Sequence, residues 1–182
     1  MEKDKQFDIY KDLFLTCTAI NSSKTALEDL QKVSFADNLS QHISTKINYL
    51  QTIVLSSLYT LPEADRTEIM SFAFSKINSI NLENSLDGRN SYFDKDLKSL
   101  ETLIGYNNQV TYIKCLTQSE EEQQSYLASL PSNQQKSFEE FLNSQVAKNE
   151  NEETSNQGQF ESRIKLEDLQ NFMSNLPSGQ EN

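Results

Sequence analysis

Few side chains in this chain have the types and the spacing that enzymatic chemistry requires. His42 is the only histidine, and the two cysteines, Cys17 and Cys115, lie far apart in the sequence. Nucleophilic catalysis normally pairs a thiol or hydroxyl with an imidazole base, and His42 would need a tertiary contact to reach either thiol. His42 is therefore interpreted as a surface or boundary residue, and we expect no catalytic residues.

Two acidic segments are the candidates for a metal site. Residues 83–94 can be aligned with a calcium-binding EF-hand loop, but Arg89 adds positive charge and Asp94 stands where the bidentate Glu belongs. The run Glu120–Glu122 begins a predicted helix, where carboxylates interact favourably with the helix dipole. The first segment is interpreted as an Asp-Gly turn and the second as a helix start, so we expect no metal ion and no cofactor.

An amphipathic stripe near the C-terminus is the most informative feature of the sequence. Pro177 ends it, and a helix over residues 161–177 places the apolar side chains on one face. A helix of about 15 residues is marginal alone in water, so this face must dock on the chain's own bundle or in the groove of a partner protein. Both alternatives stay open. The candidate partner-binding residues are Ile164, Leu166, Leu169, Phe172, Met173 and Leu176.

The segment that precedes this stripe predicts a flexible linker. From Lys148 to Gln159 it contains no apolar side chain, so burial cannot offset the entropy lost on ordering it. The expected organisation is a helical bundle over 1–147, an acidic and polar linker over 148–160, a docking helix over 161–177 and a frayed tail over 178–182.

Helical periodicity dominates the elements that must position these residues. Apolar side chains recur every three or four residues through most of the first 147 positions, most regularly from Leu39 to Leu61. Pro62 and Pro131 each end one predicted helix and begin another. The sequence predicts an all-α fold, a compact bundle of six or seven helices, plus the flexible linker and a detached C-terminal amphipathic helix.

Smaller signals predict where these helices begin and end. Breaks are expected at Asn21–Ser23, over a loop from Asn81 to Ser91, and near Gly105. Thr117 and Ser119 each precede a glutamate by three residues, which is the arrangement of a capping box at a helix N-terminus.

Composition and charge exclude several classes of protein. The 182 residues correspond to about one domain. With only 4 Gly and 3 Pro, the chain cannot be collagen-like, and it lacks the turn residues that a β-sandwich with many turns requires. It has no apolar run of about 20 residues, so we expect no membrane insertion. The net charge of −11, without a cluster of Lys and Arg, disfavours nucleic-acid binding.

These observations favour a non-catalytic protein–protein interaction protein. It would be an adaptor, a chaperone-like factor or a subunit of a larger assembly, with one or more proteins as partners of the helical scaffold and the tethered helix. The two cysteines are too sparse for a disulfide scaffold and are interpreted as reduced core residues. We therefore expect a cytoplasmic protein.

Two alternatives remain from other functional classes. The Glu-, Ser- and Asn-rich region from about residue 150 resembles the unstructured tails of proteins exported by bacterial type IV secretion machines. This resemblance implies a secreted effector delivered to another cell, or a secretion-system component, with a Glu-rich C-terminal signal. The second alternative is an enzyme with a carboxylate site, which predicts a deep pocket holding several acids.

Overall fold

The structure, a computed structural model, describes residues 2–33, 37–87, 93–151 and 157–176. Those ranges form seven helices and no strand, which confirms the all-α prediction and its helix number. The helices are α1 (Lys3–Leu30), α2 (Asp37–Thr60), α3 (Glu63–Asp87), α4 (Asp94–Thr117), α5 (Glu120–Ser129), α6 (Ser132–Asn151) and α7 (Gln157–Asn175).

The helices belong to two compact units, unit 1 (Met1–Asn107) and unit 2 (Asn108–Asn182). The first part of α4 belongs to unit 1 and its last turns belong to unit 2. The structural boundary therefore lies inside a helix, whereas the sequence placed a boundary near residue 147. An apolar stripe that continues through a helix does not reveal that its two halves pack on different neighbours.

Unit 1 is built around α1, which packs against α2 and α3. Its buried side chains come from the predicted stripes, because residues three and four apart share one helix face. The largest of the fully buried apolar residues in this unit are Ile20, Leu58, Ile69, Met70, Ile80, Leu100 and Leu103. At one end of α1, Phe7 meets Phe72 edge-on, with ring centroids 5.3 Å apart.

Unit 2 has its own apolar core, to which α4, α5, α6 and α7 all contribute. The buried members of this core are Cys115, Leu127, Leu130, Phe138, Leu142, Leu166, Leu169 and Met173. α6 and α7 pack directly against each other. Every helix of the unit therefore buries one apolar face against the same cluster.

Three of the predicted helix starts are confirmed. Ser119 and Glu122 form a capping box in which each side chain bonds the other's backbone N–H. α3 and α6 begin directly after Pro62 and Pro131, and each proline carbonyl accepts a backbone N–H from the first turn. Proline fits there because the missing N–H would have had no partner within the helix.

The predicted break at Asn21–Ser23 is wrong, because α1 is continuous from Lys3 to Leu30. Asn21 is buried, and its side-chain amide exchanges hydrogen bonds of 3.1 and 3.2 Å with the Thr102 hydroxyl. Tertiary packing thus satisfies an amide that would otherwise compete with the helix backbone. The predicted loop from Asn81 also starts too early, since α3 continues to Asp87; residues 88–92 lie outside the described residues.

The predicted break near Gly105 is wrong for the same reason. α4 is continuous, and the two asparagines after the glycine are buried. Asn107 accepts a hydrogen bond of 3.4 Å from Arg66 in unit 1. Asn108 donates one of 3.1 Å to the Ser137 hydroxyl in unit 2. Adjacent amides therefore serve different units, and the helix passes through both.

Replacing Gly105 with alanine is expected to raise the free energy of unfolding by about 0.5–1 kcal/mol. Gly105 sits in the middle of α4, and a Cβ added there would meet no atom within 4 Å. Urea titration followed by circular dichroism measures the change. Ala26→Gly, at an exposed position of α1, is the reverse control and should lower stability by a similar amount. Destabilisation by Gly105→Ala would show that the glycine is needed for backbone geometry.

The two helices that flank the predicted linker extend into it. α6 continues to Asn151 and α7 begins at Gln157, so residues 148–151 and 157–160 are helical. Residues 152–156 and the predicted tail 178–182 lie outside the described residues.

Candidate interaction surfaces

The face of α7 that the sequence assigned to partner binding lies against the other helices of unit 2. Leu166, Leu169 and Met173 are buried in its core, and Phe172 and Leu176 pack partly buried against the same cluster. The side chain of Ile164 lies outside the described residues. Of the two alternatives that the sequence left open, docking on the chain's own bundle is the one that these residues adopt.

Two hydrogen bonds join side chains of α6 and α7 at the rim of this contact. The Gln170 amide donates to the Asn143 Oδ1 over 2.7 Å, and the Ser174 hydroxyl donates to Glu139 over 3.4 Å. Both are exposed, where water competes for the same groups, so each contributes about 1 kcal/mol or less. The apolar face therefore provides most of the attraction between the two helices.

A cleft of about 290 Å³ opens beside α7 in unit 2. Its lining comprises Gln118, Glu120, Gln123, Gln124, Asp168, Leu169 and Phe172. Two of these residues, Glu120 and Asp168, are acidic, and the others are amides and apolar side chains. Glu120 also belongs to the first turn of α5, where its charge favours the helix dipole. Among the described residues, no group of His, Cys, Asp and Glu is placed to hold a metal ion.

A buried charged network lies in unit 1, where sequence reasoning assigned no function. Arg66 is 1% exposed, forms an ion pair with Glu63 on its own helix, and donates to Asn107 of α4. The neighbouring Asp65, also buried, accepts a hydrogen bond of 2.7 Å from the Gln6 amide of α1. The bonds from Gln6 to Asp65 and from Arg66 to Asn107 each join two helices, so the network is interpreted as structural.

Both cysteines are buried, which confirms that they are core residues, and neither forms a disulfide in the structure. Burial raises the pKa of the Cys17 thiol to about 12, so this thiol stays protonated at neutral pH and is a poor nucleophile. His42 is exposed on α2. These environments do not favour the cysteine–histidine pair considered from the sequence.

The outer side of α2 is the least expected surface of the molecule. α2 contributes Ile47, Val54 and Leu58 to the core. Other members of its apolar stripe face outwards instead: Tyr49 is 66% exposed and Ile53 is 37% exposed. We call the exposed side the α2 outer face, and it comprises Asp37, Asn38, Leu39, Gln41, His42, Thr45, Lys46, Asn48, Tyr49, Thr52, Ile53, Ser56, Tyr59 and Thr60.

The α2 outer face carries almost no charge. Residues 47–62 form the longest run in the chain without Asp, Glu, Lys or Arg, and on the face such residues occur only before this run, at Asp37 and Lys46. The hydroxyls of Thr45, Thr52 and Thr60 donate to the carbonyls four residues earlier on α2. The hydroxyl donors of these threonines are therefore already used within α2. The absence of charge was the sequence signal that could have identified this surface.

In the part of the chain that the structure describes, no helix has the length and apolarity required to cross a membrane. No protein-family model, no curated protein and no solved structure matches this chain.

Proposed function

We propose that the protein is a non-catalytic protein-interaction protein, acting as an adaptor, a chaperone-like factor or a subunit of a larger assembly, and that α7 is its docking helix. The observation that carries this proposal is the contact between α7 and unit 2. α7 buries Leu166, Leu169 and Met173 against helices of its own chain, which is the mode of contact by which an amphipathic helix enters a partner's groove.

The balance of forces at this contact favours exchange between two docking sites. Apolar burial is non-directional, so a partner groove of similar width offers α7 the same stabilisation as its own unit. The rim hydrogen bonds of Gln170 and Ser174 are exposed and would be replaced by water at little cost. In the closed form, α7 competes as a tethered ligand at an effective concentration of about millimolar. A partner must exceed that competition, which suppresses weak and nonspecific binding.

A covalent bridge between α6 and α7 tests whether α7 must leave unit 2 to bind. Asn143→Cys and Gln170→Cys place two thiols where the native side chains are in hydrogen-bond contact, and a short bismaleimide joins them. Cys17 and Cys115 are buried and should remain unmodified in the folded protein. Partners that co-purify with the unbridged protein from its source cells are then purified and titrated calorimetrically.

We expect the bridge to raise the Kd for such a partner at least tenfold, which is about 1.4 kcal/mol. The matched control is the same double variant with each thiol capped by a monofunctional maleimide, which should bind like the unmodified chain. Equal Kd values for the bridged and the capped protein would contradict the proposal, because they would show that α7 binds nothing outside its own chain.

A further inference from the structure

We propose that the groove which α7 occupies in unit 2 is the docking site for a basic amphipathic helix of a partner protein, and that α7 fills this site in the free chain. The α7 groove is the surface of α4, α5 and α6 that receives Leu166, Leu169 and Met173. This inference rests on the proposed release of α7, and it adds that the released groove has a partner as well as the released helix.

The docked α7 shows which kind of ligand the groove accepts. Its buried side chains lie at positions i, i+3 and i+7 of one helix, which is the anchor spacing of helix-in-groove recognition. The floor that receives them is apolar and includes Leu127, Phe138 and Leu142, each at most 1% exposed when α7 is docked. An amphipathic helix therefore fits this groove, and the polar rims on its two sides select among such helices.

Along the α6 rim, the groove offers a carboxylate that α7 uses poorly. The Ser174 hydroxyl reaches Glu139 over 3.4 Å, which is long for a hydrogen bond from a hydroxyl to a carboxylate. Among the residues that the structure describes, no ion pair involves Glu139. A lysine or arginine at the position of Ser174 would form a charge-assisted hydrogen bond there, which is shorter and roughly twice as strong as a neutral one.

Along the α5 rim, α7 adds a carboxylate where the groove already has one. Glu120 of α5 and Asp168 of α7 line the same cleft. The amides of this rim use donors within the chain, because Gln123 donates to two backbone carbonyls at the end of α4 and Gln124 donates to Glu120 over 3.0 Å. The rim therefore presents mainly acceptors, which a donor or a cation satisfies and a carboxylate does not. A helix with a neutral or basic residue at the position of Asp168 fits better than α7.

The charge of the surrounding chain favours the same ligand. Residues 108–147, which include every part of the α7 groove, contain five glutamates and two lysines. Residues 157–175, which form α7, contain three acidic and two basic side chains. Both partners of the intrachain contact are therefore net acidic, whereas a basic helix would be attracted to the groove and steered towards it. α7 matches the groove in its apolar spacing and mismatches it in charge.

Two synthetic peptides that copy residues 161–177 test this inference. The ligand peptide carries Asp168→Asn and Ser174→Lys, which correct the two mismatches at the rims. The control peptide carries Asn171→Lys and Asn175→Lys, at positions that are exposed on the docked helix. Each pair of substitutions raises the net charge of the peptide by two, so the two peptides differ in where the charge lies and not in its amount.

Both peptides are titrated by fluorescence anisotropy with the full-length Leu169→Asp chain, in which an aspartate in the core releases α7. At 150 mM NaCl, charges more than about 8 Å apart are largely screened, so local contacts separate the two peptides. We expect the ligand peptide to bind about fivefold more tightly than the control peptide, and Glu139→Gln in the chain to reduce this advantage at least about twofold. Equal Kd values, no binding of either peptide, or an advantage that Glu139→Gln leaves unchanged would overturn the inference.

A coupling measurement keeps the test valid if the Leu169→Asp chain is poorly folded. An excess of the ligand peptide over the natural full chain should displace α7, and a carbodiimide should then join the amine introduced at position 174 to the Glu139 carboxylate, as located by mass spectrometry. The control peptide should not couple at Glu139. Coupling of the ligand peptide only at other carboxylates would overturn the inference.

The failure of this inference can be told from failure of the proposed function. If neither peptide binds while the bridge between α6 and α7 still weakens the binding of a purified partner, α7 is a docking helix and its groove is not a docking site. If the ligand peptide binds while the bridge has no effect on a partner's Kd, the groove is a docking site and α7 only fills it.

Discussion

Replacing Arg66 with alanine is expected to lower the free energy of unfolding by about 3–5 kcal/mol. The guanidinium is 1% exposed and pairs with Glu63 on α3 and with Asn107 on α4. Alanine would leave the Asn107 Oδ1 without this donor, leave the Glu63 carboxylate without its countercharge, and open a cavity where one of the largest fully buried side chains had been. Guanidinium denaturation and calorimetry measure the loss.

A second ion pair of the same spacing provides the control. Lys32 and Asp29 are also three residues apart, with their charged atoms 3.1 Å from one another, but their side chains are 75% and 69% exposed. Water solvates these charges already, so Lys32→Ala should change the free energy of unfolding by less than about 0.5 kcal/mol. Similar losses for the two alanine variants would show that burial of Arg66 adds nothing to its contribution.

Replacing Leu169 with aspartate is expected to release α7 from unit 2. Leu169 is buried in the core that α7 shares with α6, and a carboxylate at that position would lose its hydration without gaining a partner. Undocking the helix avoids this penalty, so the contact should weaken by about 2–4 kcal/mol. Trypsin cleavage after Arg163 and Lys165 should then accelerate at least tenfold, because proteolysis follows the population of the open form.

The control for this variant adds the same charge on the same helix. Asn171 is exposed on α7, and Asn171→Asp should leave the rate of cleavage within about twofold of the original. The two variants would behave alike only if the apolar contact between α7 and unit 2 contributed little. Such a result would also remove the basis for treating α7 as a docking helix.

The sequence predicted the helices well where local chemistry decides the structure. The prolines at 62 and 131, and the serine with its glutamate at 119 and 122, satisfy or remove backbone donors within one turn, so they mark helix starts without reference to the remaining fold. The stripe of α7 was visible for a similar reason, because helical spacing is a property of the sequence alone.

Prediction failed where distant residues decide the structure. Asn21 and Asn107 read as helix breakers, yet Thr102 and Arg66 satisfy their side chains across helix contacts. The charged network around Arg66 was missed because Gln6, Arg66 and Asn107 are brought together only by folding. On α2, the stripe from Leu39 to Leu61 predicted core residues. The stripe is wider than the surface that the neighbouring helices can cover, so some of its apolar side chains remain exposed.

The back-bonded threonines affect how the folded protein should interact with apolar media. A hydroxyl that donates to its own helix offers water only its acceptor lone pairs, so Thr45, Thr52 and Thr60 are less hydrophilic than threonines with a free donor. A mean hydropathy counts each of them as an ordinary polar residue and therefore underestimates the hydrophobicity of α2. On a phenyl resin in ammonium sulfate, the protein should elute later than its acidic, amide-rich composition suggests.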